Sequence, residues 1–308
     1  MKSYYRIMLG KKSAYADEAF KGNFICTGFI RGKDLTEHLP DIWRDFNKKF
    51  IPVFLKQNPE KNKIAAGLAC GMLWTVAKGI QVGDVVLCPD GKGMYHVGEV
   101  TGGYFYYKDH ELQHRRPVQW YPKPITRNEM SDALKNSTGA IGTVSNITKY
   151  AEEIEKLLSG SAPPAIVATD ETIEDPSVFA LEKHLEDFLV QNWKSTALGK
   201  HYDIYTEEDG VAGQQYPTDT GPIDILAISK NGKELLVVEL KRGRASDVVM
   251  GQVQRYMGYV KDELAEKGQK VRGVIIALQD DIKLRRALSV TTNIDFYTYK
   301  VHFSLERK

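Results

Sequence analysis

The chain of 308 residues is 42% hydrophobic and 27% charged, which is typical of a globular protein that forms a core. No apolar run approaches the roughly 20 residues that span a bilayer, so we expect no membrane partner. The net charge of +2 is uneven: residues 1–160 contain 23 Lys and Arg against 17 Asp and Glu, whereas residues 161–308 contain 19 against 23. A basic first half suits a polyanion such as nucleic acid, although an excess of this size also fits a solvated surface.

The first residues, Met1–Gly10, show no long apolar stretch behind a basic cluster. We therefore expect no secretory signal and a cytoplasmic protein. The three cysteines, Cys26, Cys70 and Cys88, are odd in number and widely spaced. This pattern is typical of buried thiols in a reducing compartment rather than of a zinc site.

The first half of the chain predicts an α+β domain. A short strand over Ser3–Leu9 precedes two helices, Lys33–Phe50 and Ile64–Lys78. Short strands with glycine turns follow from Gly83 and predict a small, curved β-barrel. A helix over Ser145–Leu158 ends this half.

Residues 161–177 (SAPPAIVATDETIEDPS) are rich in Ser, Pro, Ala and acidic residues and have no amphipathic period. The segment predicts a linker between a domain at 1–160 and a second at 178–308.

The second domain predicts an α/β fold. It opens with a helix near Pro176, and two apolar strands, Ile223–Ser229 and Glu234–Leu240, follow later. Asn231-Gly232 between them is a strong hairpin signal. The remaining elements alternate helix and strand: helix Ser246–Glu266, strand Val271–Leu278, a helix containing Arg285, and strand Ile294–Tyr299. This order predicts a mixed sheet flanked by helices.

The hairpin carries the residues with chemical potential. Glu239 and Lys241 are two apart, so they point to the same face of a strand, and Asp224 lies across the turn. Two carboxylates that converge there suit a hard cation, and Lys241 beside them can orient water and stabilise charge on a phosphate. A Glu-x-Lys pair alone is more often a surface ion pair, but charges within such apolar strands cost free energy unless they are paired or bind metal.

Asp, a turn and then Glu-x-Lys is the pattern of the PD-(D/E)XK nuclease superfamily. Four motifs in order, LEKHLEDFLVQNW, QQYPTDTGPIDIL, VVELKRG and GQVQRYMGYV, resemble the C-terminal nuclease domain of NucS-type endonucleases. The resemblance implies Mg²⁺ or Mn²⁺ held by Asp224, Glu239 and the Leu240 carbonyl. It also implies that Glu182 is the family's helical glutamate and Gln252 its helical glutamine, and the loop 199–213 does not align with the family.

Several of these residues have a second interpretation. Glu186 competes with Glu182, one turn further along the same face, and the resemblance favours Glu182. Gln252 shares a helix face with Tyr256 and is otherwise a peripheral glutamine. Tyr216 and Arg255 are candidate phosphate contacts, although each is more often structural.

In the first half, AAGLACGMLWTVAKGIQVGDVVLCP, GMYHVGEVTGGYFYY and HRRPVQW resemble the PUA-like group, which includes EVE domains. The resemblance implies a domain that reads DNA by holding a flipped, modified base between aromatic side chains. The candidates for that wall are Trp74, Tyr104, Trp120 and Tyr15, each of which is alternatively a core residue. Arg115 and Arg116 are candidate phosphate contacts or a solvated turn.

Together these patterns predict a metal-dependent DNA endonuclease, with a restriction or phage-defence role implied by the domain pairing. The alternatives are a NucS-like repair endonuclease on mismatched or branched DNA, a nucleic-acid-binding module without activity, and an enzyme directed at RNA. Cleavage of both strands by one site per chain favours a homodimer, and the sequence leaves the oligomeric state open.

Overall fold

The computed structural model describes residues 2–139, 142–159, 185–207 and 210–300. Chain contacts divide the protein into two compact units, unit 1 (Met1–Asp170) and unit 2 (Glu171–Lys308). This division falls within the 161–177 segment, which itself lies outside the described residues. In the ranges given above, no helix combines the length and the apolar character that crossing a membrane requires.

The described strands of unit 1 pair into one mixed sheet. They are β1 (Tyr4–Ile7), β2 (Phe24–Thr27), β3 (Val85–Pro89), β4 (Met94–Val100), β5 (Phe105–Tyr106), β6 (His114–Trp120), β7 (Ile125–Thr126) and β8 (Val144–Asn146). The path runs β2-β6-β4-β3-β1-β8, with β5 on β6 and β7 on β4, and only the β1–β3 pair is parallel. Among these strands no pairing joins β2 to β8, so the sheet is mixed but is not closed into the predicted barrel.

Five α-helices occur in the described part of unit 1: α1 (Ala16–Gly22), α2 (Trp43–Gln57), α3 (Lys63–Trp74), α4 (Asp132–Thr138) and α5 (Ala151–Ser159). The helix expected from Lys33 begins only at Trp43. Pro40 disfavours helical backbone at Leu39, and the Asp34 carboxylate accepts from the Thr36 N–H, which makes a turn instead. The helix expected over Ser145–Leu158 begins at Ala151, because β8 occupies the residues before it.

Unit 2 contains a second mixed sheet and a separate two-stranded pair. Its strands are β9 (Tyr202–Ile204), β10 (Thr206–Glu207), β11 (Gly210–Val211), β12 (Gln214–Tyr216), β13 (Ile223–Ser229), β14 (Glu234–Arg244), β15 (Lys270–Gln279) and β16 (Ile294–Thr298). The sheet order is β12-β13-β14-β15-β16 with β9 on β13, and β10 pairs with β11. Strands β14, β15 and β16 run parallel, whereas β12, β13 and β14 are antiparallel neighbours.

Helices connect the parallel strands of unit 2, as such strands require. Helix α7 (Val248–Tyr259) lies between β14 and β15, and α8 (Ile282–Ser289) between β15 and β16. The described part of α6 covers residues 185–192. The helix expected over Ser246–Glu266 is α7 followed by a π-helical turn at Val260–Leu264.

The β13–β14 hairpin forms as its sequence predicts. Gly232 has a φ of +71°, and the Gly232 N–H donates to the Ser229 carbonyl at 2.7 Å. Ile225, Val238 and Leu240 are buried in the core of unit 2, where they pack in one cluster. Because side chains alternate along a strand, Asp224, Glu239 and Lys241 lie on the opposite face of the hairpin.

Candidate active site

Asp224 is fixed to the strand that faces it. The last paired residues of the β13–β14 ladder are Ile225 and Val238, so Asp224 lies one residue beyond. The Leu240 N–H donates to Asp224 Oδ2 at 2.8 Å. In an antiparallel pair the N–H and carbonyl of one residue lie on the same edge, so the Leu240 carbonyl faces the same side as Asp224.

Glu239 and Lys241 lie on one face of β14, as predicted. Lys241 Nζ donates to Glu239 Oε1 at 2.9 Å. The Glu239 side chain is 2% exposed and that of Lys241 30% exposed, so the ammonium group reaches solvent from a buried carboxylate. The register of β14 against β15 shifts between Lys241 and Arg244, which marks an irregularity directly after the lysine.

A third carboxylate approaches from α6. Glu186 is buried and accepts from Gln214 Nε2 at 2.6 Å and from Gln215 Nε2. The other N–H of Gln215 donates to Asp224 Oδ1 at 3.1 Å. Glu182, the helical glutamate that the resemblance favours, lies outside the described residues, so the structure gives a position only to its competitor Glu186.

The electrostatics of the site disfavour a negative charge on Asp224 in the absence of a cation. Burial raises the pKa of Asp224 well above its usual value, and the charges of Glu239 and Glu186 raise it further. The Leu240 N–H and the Lys241 ammonium act in the opposite direction. A divalent cation between these carboxylates would relieve the repulsion, and carboxylate and carbonyl oxygens are the donors that magnesium prefers.

Few residues would bind such a cation directly. Within the described ranges, no three His, Cys, Asp or Glu side chains are arranged to hold one metal ion. Glu186 accepts from two glutamine amides, and Asp224, Glu239 and the Leu240 carbonyl stay the predicted set of cation ligands.

Helix α7 brings two further polar groups to this region. Gln252 Nε2 donates to the Tyr256 hydroxyl at 3.4 Å, so the two share the predicted helix face. Burial raises the pKa of Tyr256, and the Gln252 hydrogen bond lowers it. The charges of Glu239 and Asp224 also raise it, which locates Tyr256 near the carboxylates.

The two predicted phosphate contacts of unit 2 differ in their exposure to solvent. Tyr216 is 0% exposed, so a phosphate cannot reach it and that prediction is wrong. Arg255 is exposed on α7 and stays a prediction.

The four aromatic residues of the predicted base-reading wall lie in two different core clusters of unit 1. Trp74 and Tyr104 pack on a cluster built around Phe46 and Phe50, whereas Tyr15 and Trp120 pack on the cluster that contains Ile25. Their polar atoms have protein partners: the Pro40 carbonyl for Trp74, His114 for Tyr104, the Ala19 carbonyl for Trp120 and Glu111 for Tyr15. The four do not form one wall, and their packing favours the core interpretation.

Arg115 and Arg116 are neither phosphate contacts nor part of a solvated turn, because both are buried in β6. The Arg115 guanidinium lies 3.9 Å from the centroid of the Phe24 ring and pairs with Glu18 at 3.2 Å. Arg116 donates to four main-chain carbonyls, those of Gly102, Val76, Ala77 and Ile80. The prediction failed because a buried guanidinium that caps carbonyls has the same sequence signature as a basic patch.

Two family models match separate parts of the chain. Residues 181–301 match the Endonuclease NucS C-terminal domain, and residues 5–148 match a Domain of unknown function (DUF8426). The first match covers the part of unit 2 that carries the site, so this part is similar in sequence to the Endonuclease NucS C-terminal domain. The second says nothing about a PUA-like fold, which stays a prediction.

Endonuclease NucS of Pyrococcus furiosus is 25% identical over 168 residues, which cover 54% of this chain and 54% of that protein. Endonuclease NucS of Bifidobacterium longum is 29% identical over 172 residues, covering 47% and 63%. The chain thus spans about half to two thirds of the length of these curated relatives. A solved repair endonuclease from Pyrococcus abyssi is 15% identical with a TM-score of 0.31, covering 69% of this chain and 66% of that one.

Proposed function

We propose that the chain is a metal-dependent endonuclease that hydrolyses phosphodiester bonds in DNA, with Asp224, Glu239 and Lys241 at the cutting centre. The hydrogen bond from the Leu240 N–H to Asp224 carries this proposal, because it holds one carboxylate against the strand that bears Glu239 and Lys241. The match of residues 181–301 to the Endonuclease NucS C-terminal domain supports the reaction class.

Asp224, Glu239 and the Leu240 carbonyl would hold Mg²⁺ or Mn²⁺ in this centre. The bound cation supplies Lewis acidity toward a phosphate oxygen. That positive charge would favour the ionised form of Asp224, whose pKa is raised by burial and by its acidic neighbours.

Lys241 supplies a positive charge to the centre. Its ammonium group is anchored by Glu239 and reaches solvent, where it can orient the attacking water and compensate charge that develops on the phosphate. Gln252 contributes a neutral amide from α7, and Glu182 would contribute a carboxylate; both roles rest on the NucS resemblance.

Of the two DNA-cutting functions expected from the sequence, the NucS-like one has the stronger support, because the curated relatives are named endonuclease NucS. A restriction or defence role, and the reading of modified bases by unit 1, rest on the PUA-like resemblance. For unit 1 we infer DNA binding without recognition of a particular base. Its excess of Lys and Arg over Asp and Glu supports this inference.

One cleavage assay tests the proposal. The full chain is incubated with a single duplex prepared unmodified, with modified cytosines, with a mismatch and with a branch, in Mg²⁺, in Mn²⁺ and in chelator. We expect cation-dependent cutting that Glu239→Ala abolishes while DNA binding persists. Undiminished cutting by that variant would refute the assignment. Binding without any cutting would favour the inactive module, and cutting of RNA alone the RNA-directed enzyme.

A further inference from the structure

Gln215 joins two acidic side chains of unit 2. One N–H of its amide donates to Asp224 Oδ1 at 3.1 Å, and Nε2 also donates to Glu186 Oε2. Asp224 Oδ2 accepts from the Leu240 N–H at 2.8 Å. Each Asp224 oxygen therefore has its own donor, so the plane of the carboxylate is fixed from both sides.

The backbone of Gln215 is adapted to this contact. Its φ is +51°, in the left-handed region that side chains rarely adopt. The neighbours on either side keep the ladder, since Gln214 pairs with Ile225 and Tyr216 with Ile223. In a regular strand the side chains of Gln214 and Gln215 would point to opposite faces. Here both amides reach the same carboxylate, that of Glu186.

We propose that Gln215 is a positioning residue of the cutting centre: its amide, oriented by Glu186, sets the plane of the Asp224 carboxylate toward the cation. The inference rests on the proposed function. Glu186 then acts as a hydrogen-bond acceptor for Gln215 rather than as a ligand. Partners of this outer kind orient ligating carboxylates and affect metal affinity by about 10- to 100-fold.

The chemistry of an amide suits this position. Gln215 offers two N–H donors without a charge, so it can hold two carboxylates close to one another. A lysine or arginine there would also hold them, but its charge would oppose the binding of a cation at Asp224.

The experiment measures Mn²⁺ binding to the full chain by calorimetry, without DNA. Gln215→Met removes the bridge to Asp224, and Gln214→Met is the matched control, since Gln214 contacts Glu186 and Asp187 but makes no hydrogen bond to Asp224. We expect Gln215→Met to weaken Mn²⁺ binding on the order of tenfold and Gln214→Met to leave it close to wild type. Thermal unfolding in chelator verifies that each variant is folded.

Substitutions at Glu186 separate an acceptor from a ligand. Glu186→Gln keeps an oxygen that can accept from Gln215, whereas Glu186→Met does not. We expect Mn²⁺ affinity to survive in the first and fall in the second, and Gln215→Met to add little to Glu186→Met because the two act through one chain of contacts. Equal loss in both Glu186 variants would make Glu186 a charged ligand and overturn the inference.

The failure of this inference differs from the failure of the proposed function. If Glu239→Ala loses Mn²⁺ binding while Gln215→Met binds like Gln214→Met, the centre stands and the positioning role is wrong. If Glu239→Ala binds Mn²⁺ as the wild type does, the proposed centre itself is wrong. Should Gln215→Met not fold, the two Glu186 variants decide: retention in one and loss in the other supports the role, and any equal result overturns it.

Discussion

The main-chain N–H of Leu240 donates to a carboxylate oxygen of Asp224 at 2.8 Å, where the ladder between β13 and β14 ends. If the antiparallel ladder continued, the Leu240 N–H would donate to a main-chain carbonyl of β13 instead. A side chain has thus replaced a ladder acceptor. The orientation of Asp224 is therefore set by the register of the hairpin itself.

Asp224→Asn should change how stability depends on pH. The pKa of Asp224 is raised in the folded protein by burial and by the charges of Glu239 and Glu186. The folded state therefore binds this proton more tightly than the unfolded chain does. The resulting stabilisation is complete below about pH 4 and is lost as the pH rises through the raised pKa. In chelator, we expect the wild type to lose more thermal stability than Asp224→Asn between about pH 4 and neutrality.

Manganese supplies the control for the Asp224→Asn experiment. At neutral pH, added Mn²⁺ should raise the melting temperature of the wild type and have a smaller effect on the variant, because a ligand that binds only the folded state stabilises it. Identical pH profiles of stability for the two proteins would contradict a raised pKa of Asp224 in the folded state.

Lys241→Met should separate catalysis from cation binding. Removing the ammonium group should slow single-turnover cleavage by roughly 10²- to 10³-fold, the effect of losing one group that stabilises transition-state charge. Mn²⁺ affinity should be unchanged or higher, since a positive neighbour of the cation is removed. Loss of Mn²⁺ binding in parallel with activity would mean that Lys241 instead maintains the site through its ion pair with Glu239.

Arg116→Met should destabilise unit 1 rather than weaken DNA binding directly. The substitution removes the guanidinium that donates to four main-chain carbonyls, so we expect a loss of roughly 3 kcal/mol or more in chemical denaturation. Lys92→Met, at an exposed lysine, is the matched control and should change stability little. A stable Arg116 variant with reduced, less salt-dependent DNA binding would restore the phosphate-contact interpretation.

Residues 1–160 should fold as a fragment and bind DNA with an affinity that falls as salt rises. The separate contact unit and the excess basic charge both favour this result.

Matched duplexes that differ in one modified cytosine or adenine test, by titration, the hypothesis that residues 1–160 read a modified base. Tighter binding to the modified duplex that one aromatic-to-Ala variant erases would support it, and equal affinities would favour the repair-type endonuclease. A folded fragment without DNA binding at low salt would indicate a protein partner.

The hairpin of unit 2 was predictable because its determinants are local. Asn231-Gly232 marks the turn, a continuous apolar run on either side of it indicates the two strands, and a period of two places Glu239 and Lys241 on one face. The predicted bounds Ile223–Ser229 match β13, and β14 only extends four residues further.

The role of Gln215 was not predictable from the same rules. Alternation along a strand places its side chain opposite that of Gln214, and the positive φ that brings both to Glu186 leaves no mark in the sequence. The choice between Glu182 and Glu186 stays a prediction, because Glu182 lies outside the described residues and only a tertiary contact would distinguish the two. In unit 1, the prediction that Arg116 contacts phosphate was wrong because its partners are main-chain carbonyls 14 to 40 residues away in the sequence.

The close spacing of Asp224, Glu239 and Lys241 along one hairpin also bears on the order of folding. Hairpins close in about 1–10 μs, whereas the parallel pairing of β14 with β15 and of β15 with β16 must wait for the intervening helices. We expect the two carboxylates to meet early on a nascent hairpin, and the contacts from α6 and α7 to be added later. Divalent ions present during folding would then meet the pair of carboxylates before the parallel part of the sheet is complete.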